Sequence, residues 1–175
     1  MMSGQHNVDS SVRPWRLMSQ GDLSAVHGLS MRVHPGHPER AEVLAEKLRL
    51  CPSGCFVLEA GGAIVGYCFS HPWIKGTVPA LDGFLGSLPA NPTTYYVHDL
   101  TLDETIRGRG QGRTVVPLLF KAARSLHFVH LSLVAVNQRG PFWQAAGFSR
   151  TADERLQAAA QAKYGARAVH MERHL

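Results

Sequence analysis

Tyr95-Tyr96-Val97-His98-Asp99-Leu100-Thr101-Leu102 runs without a break into Asp103-Glu104-Thr105-Ile106-Arg107-Gly108-Arg109-Gly110-Gln111-Gly112, and this stretch decides the fold. From Thr94 to Leu102 it is dense in aromatic and β-branched residues and reads as a strand. Glycines at 108, 110 and 112 let the chain turn tightly and approach a ligand closely. A helical run is predicted from Arg113 to Leu126. A helix that begins near Gly112 presents unpaired N–H groups and the positive end of its dipole at the loop. Strand, loop and helix start together form a cradle for a diphosphate, to which Arg107, Arg109 or Arg113 can add charge-assisted contacts.

Two common phosphate loops do not fit. A P-loop ends in Gly-Lys-Ser/Thr, whereas Gly112 is followed by Arg113-Thr114. A dinucleotide loop has the spacing Gly-x-Gly-x-x-Gly and an acid about 20 positions on. Here the spacing is Gly-x-Gly-x-Gly, and His127 to Leu133 contains no acid.

Outward from the loop, the pattern predicts one mixed α/β domain over 12–175 behind a polar N-terminal tail, 1–11, expected to be flexible. Val12 to Met18 reads as a strand, with Pro14 arguing for an edge. A helix capped by Asp22 is predicted from Leu23 to about Arg32. After the His34-Pro35-Gly36-His37-Pro38 break, a second helix opens near Glu39 and carries an apolar stripe of Val43, Leu44 and Leu48. Lys47 and Arg49 read as surface charge. Cys55–Ala60 and Ala63–Phe69, joined by Gly61-Gly62, predict a hairpin. A long loop, 71–92, with a short helix around Leu81–Leu85, is expected to be functional. Beyond the predicted helix, Phe128–Val136 reads as a strand and Pro141–Ala146 as a short helix ended by Gly147. An Ala-rich stretch from Asp153 to Lys163 and a last strand over Arg167–Arg173 complete the chain.

Length and composition bound the rest. A chain of 175 residues holds one sizeable core, and its 45% hydrophobic content is ordinary for a soluble protein. No apolar run nears the roughly 20 residues of a membrane span, and no signal-peptide pattern opens the chain, so the expectation is cytoplasmic. The net charge of +5 raises nucleic acid as a partner. Lys and Arg are scattered, however, and the densest group lies inside the glycine loop, which suits one compact polyanion better. Cys51, Cys55 and Cys68 read as free thiols. Neither these nor His34, His37 and His71 have the spacing of a ligand set, so no metal is expected.

Leu100 to Gly112 closely resembles the signature of the GCN5-related N-acetyltransferase (GNAT) family, whose loop reads Arg/Gln-x-x-Gly-x-Gly/Ala; Arg107, Gly110 and Gly112 meet it. A second block, strand Leu131–Val136, then Asn137, then Phe142-Trp143-Gln144-Ala145-Ala146-Gly147-Phe148, is similar to the family's Asn followed by an aromatic and a Gly-Phe. The likeness is specific from Tyr95 to Phe148. It implies a twisted, mixed sheet of six or seven strands flanked by about four helices, open in a V for the cofactor. It also implies transfer of an acetyl group from acetyl-CoA to a primary amine of a small molecule or peptide. The Leu100, Thr101 and Leu102 strand would bind pantetheine through its main chain, and the Leu100 amide would polarise the thioester carbonyl. Arg107, Gly108, Arg109, Gly110, Gln111 and Gly112, running into Arg113 and Thr114, would hold the pyrophosphate. Asn137 would border the cofactor channel, and Trp143 would pack against it.

For the chemistry, strand alternation sets Tyr96, His98, Leu100 and Leu102 on one face and Tyr95, Val97, Asp99 and Thr101 on the other. His98, or water in its place, is then the expected base for the amine, Tyr96 a wall of the acceptor pocket, and Asp99 a group that orients a substrate ammonium or anchors a loop. The family's thiolate-protonating tyrosine stands four residues before the Gly-Phe glycine; that position holds Trp143, whose indole cannot act as an acid. Water, another tyrosine such as Tyr164, or no dedicated acid are the alternatives. The substitution keeps a second class open, an acyl-CoA-binding sensor or partner-binding module without turnover. A homodimer is left open.

Overall fold

A computed structural model describes residues 12–175, so the expected tail, 1–11, lies outside the described residues. The order is β1 (Arg16–Leu17), α1 (Leu23–Val33), α2 (Ala41–Leu50), β2 (Cys55–Ala60), β3 (Ala63–Trp73), β4 (Thr94–Leu102), α3 (Val116–Ser125), β5 (His130–Ala135), α4 (Gly140–Ala145), β6 (Ser149–Arg150), α5 (Glu154–Tyr164) and β7 (Val169–His174). The strands form one sheet in the order β1-β2-β3-β4-β5-β7-β6. All neighbours are antiparallel except β4 and β5, which pair only at Tyr95↔Leu131, Tyr96↔Ser132 and Val97↔Leu133. Beyond Val97 the two strands part, and the sheet opens in a V.

Each face of the sheet carries its own core. Tyr95, Val97, Leu119, Leu131 and Leu133 pack on the α3 face. Val26, Leu29, Leu44, Tyr67 and Phe69 pack on the α1–α2 face. The α2 stripe falls as its helical spacing predicts, with Val43, Leu44 and Leu48 buried. Lys47 lies within the same stripe and is only 1% exposed, which corrects its reading as surface charge.

Three local expectations change. The first strand shrinks to Arg16–Leu17 with one further bridge, Val12↔Ala60, yet it keeps its edge position. β3 continues through His71, Pro72 and Trp73, so the long loop starts at 74 rather than 71. Pro72 is accepted because β2 begins opposite Phe69, at Cys55, which leaves one side of β3 free of ladder bonds beyond that point. No helix forms around Leu81–Leu85. That segment is tied to α2 instead: Arg40 bonds the Asp82 carboxylate, and Glu46 accepts from the N–H groups of Leu85 and Gly86.

Gly54, in the turn from α2 to β2, is held against β3 by the Ser70 hydroxyl, which donates to its carbonyl at 2.7 Å. A Cβ at this position would stand 2.1 Å from the Ser70 carbonyl oxygen and 2.6 Å from the Tyr95 hydroxyl. The nearer obstacle is backbone and cannot rotate away. Gly54→Ala is therefore expected to cost roughly 3 kcal/mol in urea denaturation; a loss under about 1 kcal/mol would show that the turn gives way easily.

Candidate active site

A bulge in β4 decides which side chains meet. Phe69 pairs with Asp99 and Ser70 with Val97, so His98 is an extra residue with no partner on β3. One inserted residue reverses the alternation after it. Tyr95, Val97, Leu100 and Leu102 consequently share the α3 face. Tyr96, His98, Asp99 and Thr101 turn to the other, where His98 meets Glu39, Asp99 meets Tyr67 and Thr101 meets His34. Strict alternation had set His98 beside Leu100 and Asp99 on the opposite face; the bulge parts the first pair and brings His98 and Asp99 onto one side.

The V contains a cleft of about 590 Å³. Leu100, Thr101 and Leu102 form one wall, where β4 has lost β5 as a partner. Every second N–H and C=O on that edge is free to bond a ligand. The loop supplies the floor: Gly108 and Gly110 have φ of +75° and +79°, a conformation that glycine takes without strain. Gly112 is tight for another reason, since a Cβ there would press on Phe142 at 3.3 Å. A 3-10 turn, Gln111–Val115, precedes α3, and its first N–H groups have no partner within it. Arg107 is fixed by donating Nε–H to the Leu102 carbonyl at 3.0 Å. Of the expected cofactor residues, Gly108, Gly110, Gln111, Gly112, Arg107, Arg113, Asn137 and Trp143 also border the cleft. Arg109 and Thr114 do not. Arg109 is exposed, and the Thr114 hydroxyl is spent on the Gln111 carbonyl and the Trp15 indole.

Across the cleft, Asn137 and Gln138 are consecutive residues with φ of +52° and +60°. Such strain in non-glycine residues is typical of functional sites. It lets the chain leave β5 and start α4 at once, which carries Asn137 to the cleft and buries Trp143 edge-on between Phe142 and Phe148.

The cleft continues into a chamber of about 350 Å³ on the α1–α2 side, and His34, Asp99, Leu100, Asn137, Arg139 and Trp143 border both. One chamber wall is a buried charged cluster. Glu39 Oε1 accepts from Lys47 Nζ at 3.3 Å and from His98 Nε2 at 3.2 Å, while Oε2 has no partner among the described residues. Burial opposes ionisation of Glu39, but the His98 hydrogen bond and charge, with Lys47, outweigh it and hold the carboxyl at about 2. His71 Nδ1 lies 2.9 Å from the Pro72 carbonyl, which makes it the donor and leaves Nε2 a lone pair. Burial, then the neighbouring His98 charge, pulls His71 down to about 3. His98 Nδ1 faces that lone pair at a long 3.5 Å.

Both ring nitrogens of His98 thus face acceptors, and its side chain is 2% exposed. The residue expected to be the base offers the chamber no free nitrogen. Tyr96, expected as a pocket wall, is 1% exposed, packs behind against His71 and His98, and does not line the chamber. Tyr164 does line it, but its hydroxyl donates to the Pro79 carbonyl, and burial pushes the phenol up to about 12. Asp99 lines both cavities and accepts from Tyr67 and Thr101, each at 2.9 Å; burial pushes its carboxyl up.

Glu39 and Lys47 were not among the sequence candidates. Their signal was the α2 spacing, since Lys47 falls between stripe positions 44 and 48 and can stay there only with an acid beside it.

A family model described as the Acetyltransferase (GNAT) family matches residues 23–148. The chain belongs to the GNAT family. No curated protein matches it in sequence. The fold of this GNAT chain is shared with Ard1 from Thermoplasma volcanium (16% identity, 94% of this chain and 98% of that one, TM-score 0.69). It is shared too with the loading GNATL domain of CurA from Lyngbya majuscula (12% identity, 93% and 97%, TM-score 0.76). A third relative is the GphF GNAT-like decarboxylase, solved in complex with isobutyryl-CoA (16% identity, 93% and 99%, TM-score 0.70). The expected mixed sheet is present with seven strands and five α-helices among the described residues. No helix among them is long and apolar enough to cross a membrane.

Proposed function

We propose that this GNAT chain moves an acetyl group from acetyl-CoA to a primary amine of a small molecule or peptide by direct attack. The observation that carries the reading is one continuous passage, in which the glycine-floored cleft and the Glu39–His98 chamber meet at Leu100, where β4 parts from β5. The residues fit a CoA thioester. The free β4 edge suits the amides of a pantetheine arm, and the positive-φ glycines with Arg107 and Arg113 suit a diphosphate. When bound, acetyl-CoA supplies an activated carbonyl and a thiolate leaving group. On this reading the Leu100 N–H polarises that carbonyl.

A covalent acyl-enzyme is disfavoured, because Cys51, Cys55 and Cys68 are all buried and burial pushes each thiol up. GphF, with isobutyryl-CoA, supports acyl-CoA as the donor class. Trp143 at the family's acid position keeps the sensor reading as the alternative.

Calorimetry with acetyl-CoA, followed by a free-thiol assay on a panel of amines, tests both. Micromolar binding and turnover on at least one amine are expected. Gly110→Val forces a branched side chain to φ +79° and is expected to weaken acetyl-CoA binding about tenfold or more. Binding without turnover on any amine selects the sensor; no binding removes both readings.

A further inference from the structure

His34 ends α1 and borders both the cleft and the chamber, together with Asp99 and Leu100. It is half-buried, and its Nε2 lies 3.0 Å from Thr101 Oγ1. Thr101 has one hydroxyl proton, and it goes to Asp99 Oδ1 at 2.9 Å. Towards His34 the hydroxyl can therefore only accept, so His34 carries its hydrogen on Nε2. Nδ1 is left with a lone pair and no partner among the described residues. Asp99 is fixed in turn by the Tyr67 hydroxyl at 2.9 Å. A histidine with its tautomer set from behind and its second nitrogen free is the arrangement that His98 lacks.

We propose that His34 takes the proton from the acceptor amine, with Thr101 and Asp99 as positioning residues that set its tautomer; this rests on the acyltransfer reading above. His34 Nδ1 accepts one proton of the acceptor ammonium. The freed nitrogen pair forms the new N–C bond, and the C–S bond breaks with its electron pair on sulfur. The second amine proton goes to that sulfur, directly or through water, and His34 returns its own to solvent. The titratable and charged groups around His34 are Asp99 and His98 on β4, His37 and Glu39 in its own connection, Arg139 before α4 and Tyr164 on α5, with Arg107 and Arg113 on the cofactor side.

Two measurements test this. Long-range 1H–15N spectra of the free protein are expected to show the His34 Nε2–H tautomer, and Thr101→Val is expected to lose that preference. A dominant Nδ1–H tautomer overturns the proposal. Kinetics use acetyl-CoA with the best acceptor among phenethylamine, spermidine, lysine and tripeptides. His34→Gln is expected to lower kcat about 100-fold or more, flatten the acidic limb of the pH profile and leave the acetyl-CoA Kd within about twofold. Added imidazole is expected to restore part of the rate to His34→Ala, and Thr101→Val to lose about tenfold with the limb kept. An unchanged kcat and profile in His34→Gln overturns the assignment of His34 alone. Acetyl-CoA binding by the wild type with no turnover on any of these amines overturns the transfer reading, and the proposal with it.

Discussion

Acidification from pH 6.5 towards 4 is expected to unfold the protein through three histidines kept neutral by burial. His71 is pulled down to about 3, and His130 and His170 to about 4, with burial the first cause in each. The sign follows from proton counting. Between the unfolded value of about 6.5 and the folded ones, the unfolded chain binds protons that the folded chain refuses, so stability falls as pH falls through that window. At pH 5 each deep imidazole costs about 2 kcal/mol at 1.36 kcal/mol per unit, and His71 and His170 are both 1% exposed. Together with a smaller share from His130, that is a large part of a typical stability of about 5–15 kcal/mol. Circular dichroism melts at pH 7.5, 6 and 5 should show a steep drop in Tm. His170 has neither ring nitrogen paired among the described residues, so His170→Leu should flatten the pH slope without loss at neutral pH. A Tm that is level from pH 7.5 to 5 would show that these rings take up protons without cost.

Glu39→Leu is expected to destabilise the protein by about 3–5 kcal/mol, the usual cost of stripping a buried charge of its partner. Glu39 is the counter-charge for Lys47 and the hydrogen-bond partner of His98, whose side chains are 1% and 2% exposed. Without it, the Lys47 ammonium faces an apolar interior and His98 Nε2 loses its acceptor. Replacing Lys47 in the same chain, Glu39→Leu with Lys47→Met, should recover much of the loss, because an apolar pair of similar volume removes the desolvation penalty as well as the attraction. Urea curves of the single and double variants measure this coupling. A single variant within about 1 kcal/mol of the wild type would mean that the cluster is reached by water and screened. The Glu39 contribution is also acid-sensitive: its depressed carboxyl stabilises the fold above about 4.5 and loses that as pH falls towards 2.

Much of this molecule is legible in residue order because its decisive features are local. The Gly61-Gly62 hairpin, the Val43–Leu44–Leu48 stripe and the strand over Thr94–Leu102 all follow from spacings of two to four residues. Gly108, Gly110 and Gly112 announce a loop that the backbone then realises with two positive φ angles. The site is less legible. A single extra residue at His98 reverses the faces of everything after it on β4, and no composition signal marks where a strand will bulge. Burial of Lys47 was visible in the helical spacing, but its partner Glu39 lies outside α2, before the helix begins.

The sequence by itself determined the order of the longer strands and helices, the glycine cradle and the family likeness, since each depends on neighbours along the chain, but it missed the two-residue β6 and placed a helix at Leu81–Leu85 where none forms. The tertiary structure alone decided which histidine has a free nitrogen. That outcome depends on hydrogen bonds between residues 27, 59 and 67 positions apart, His71 and Glu39 closing off His98 and Thr101 orienting His34, and such contacts exist only once the sheet has brought these segments together.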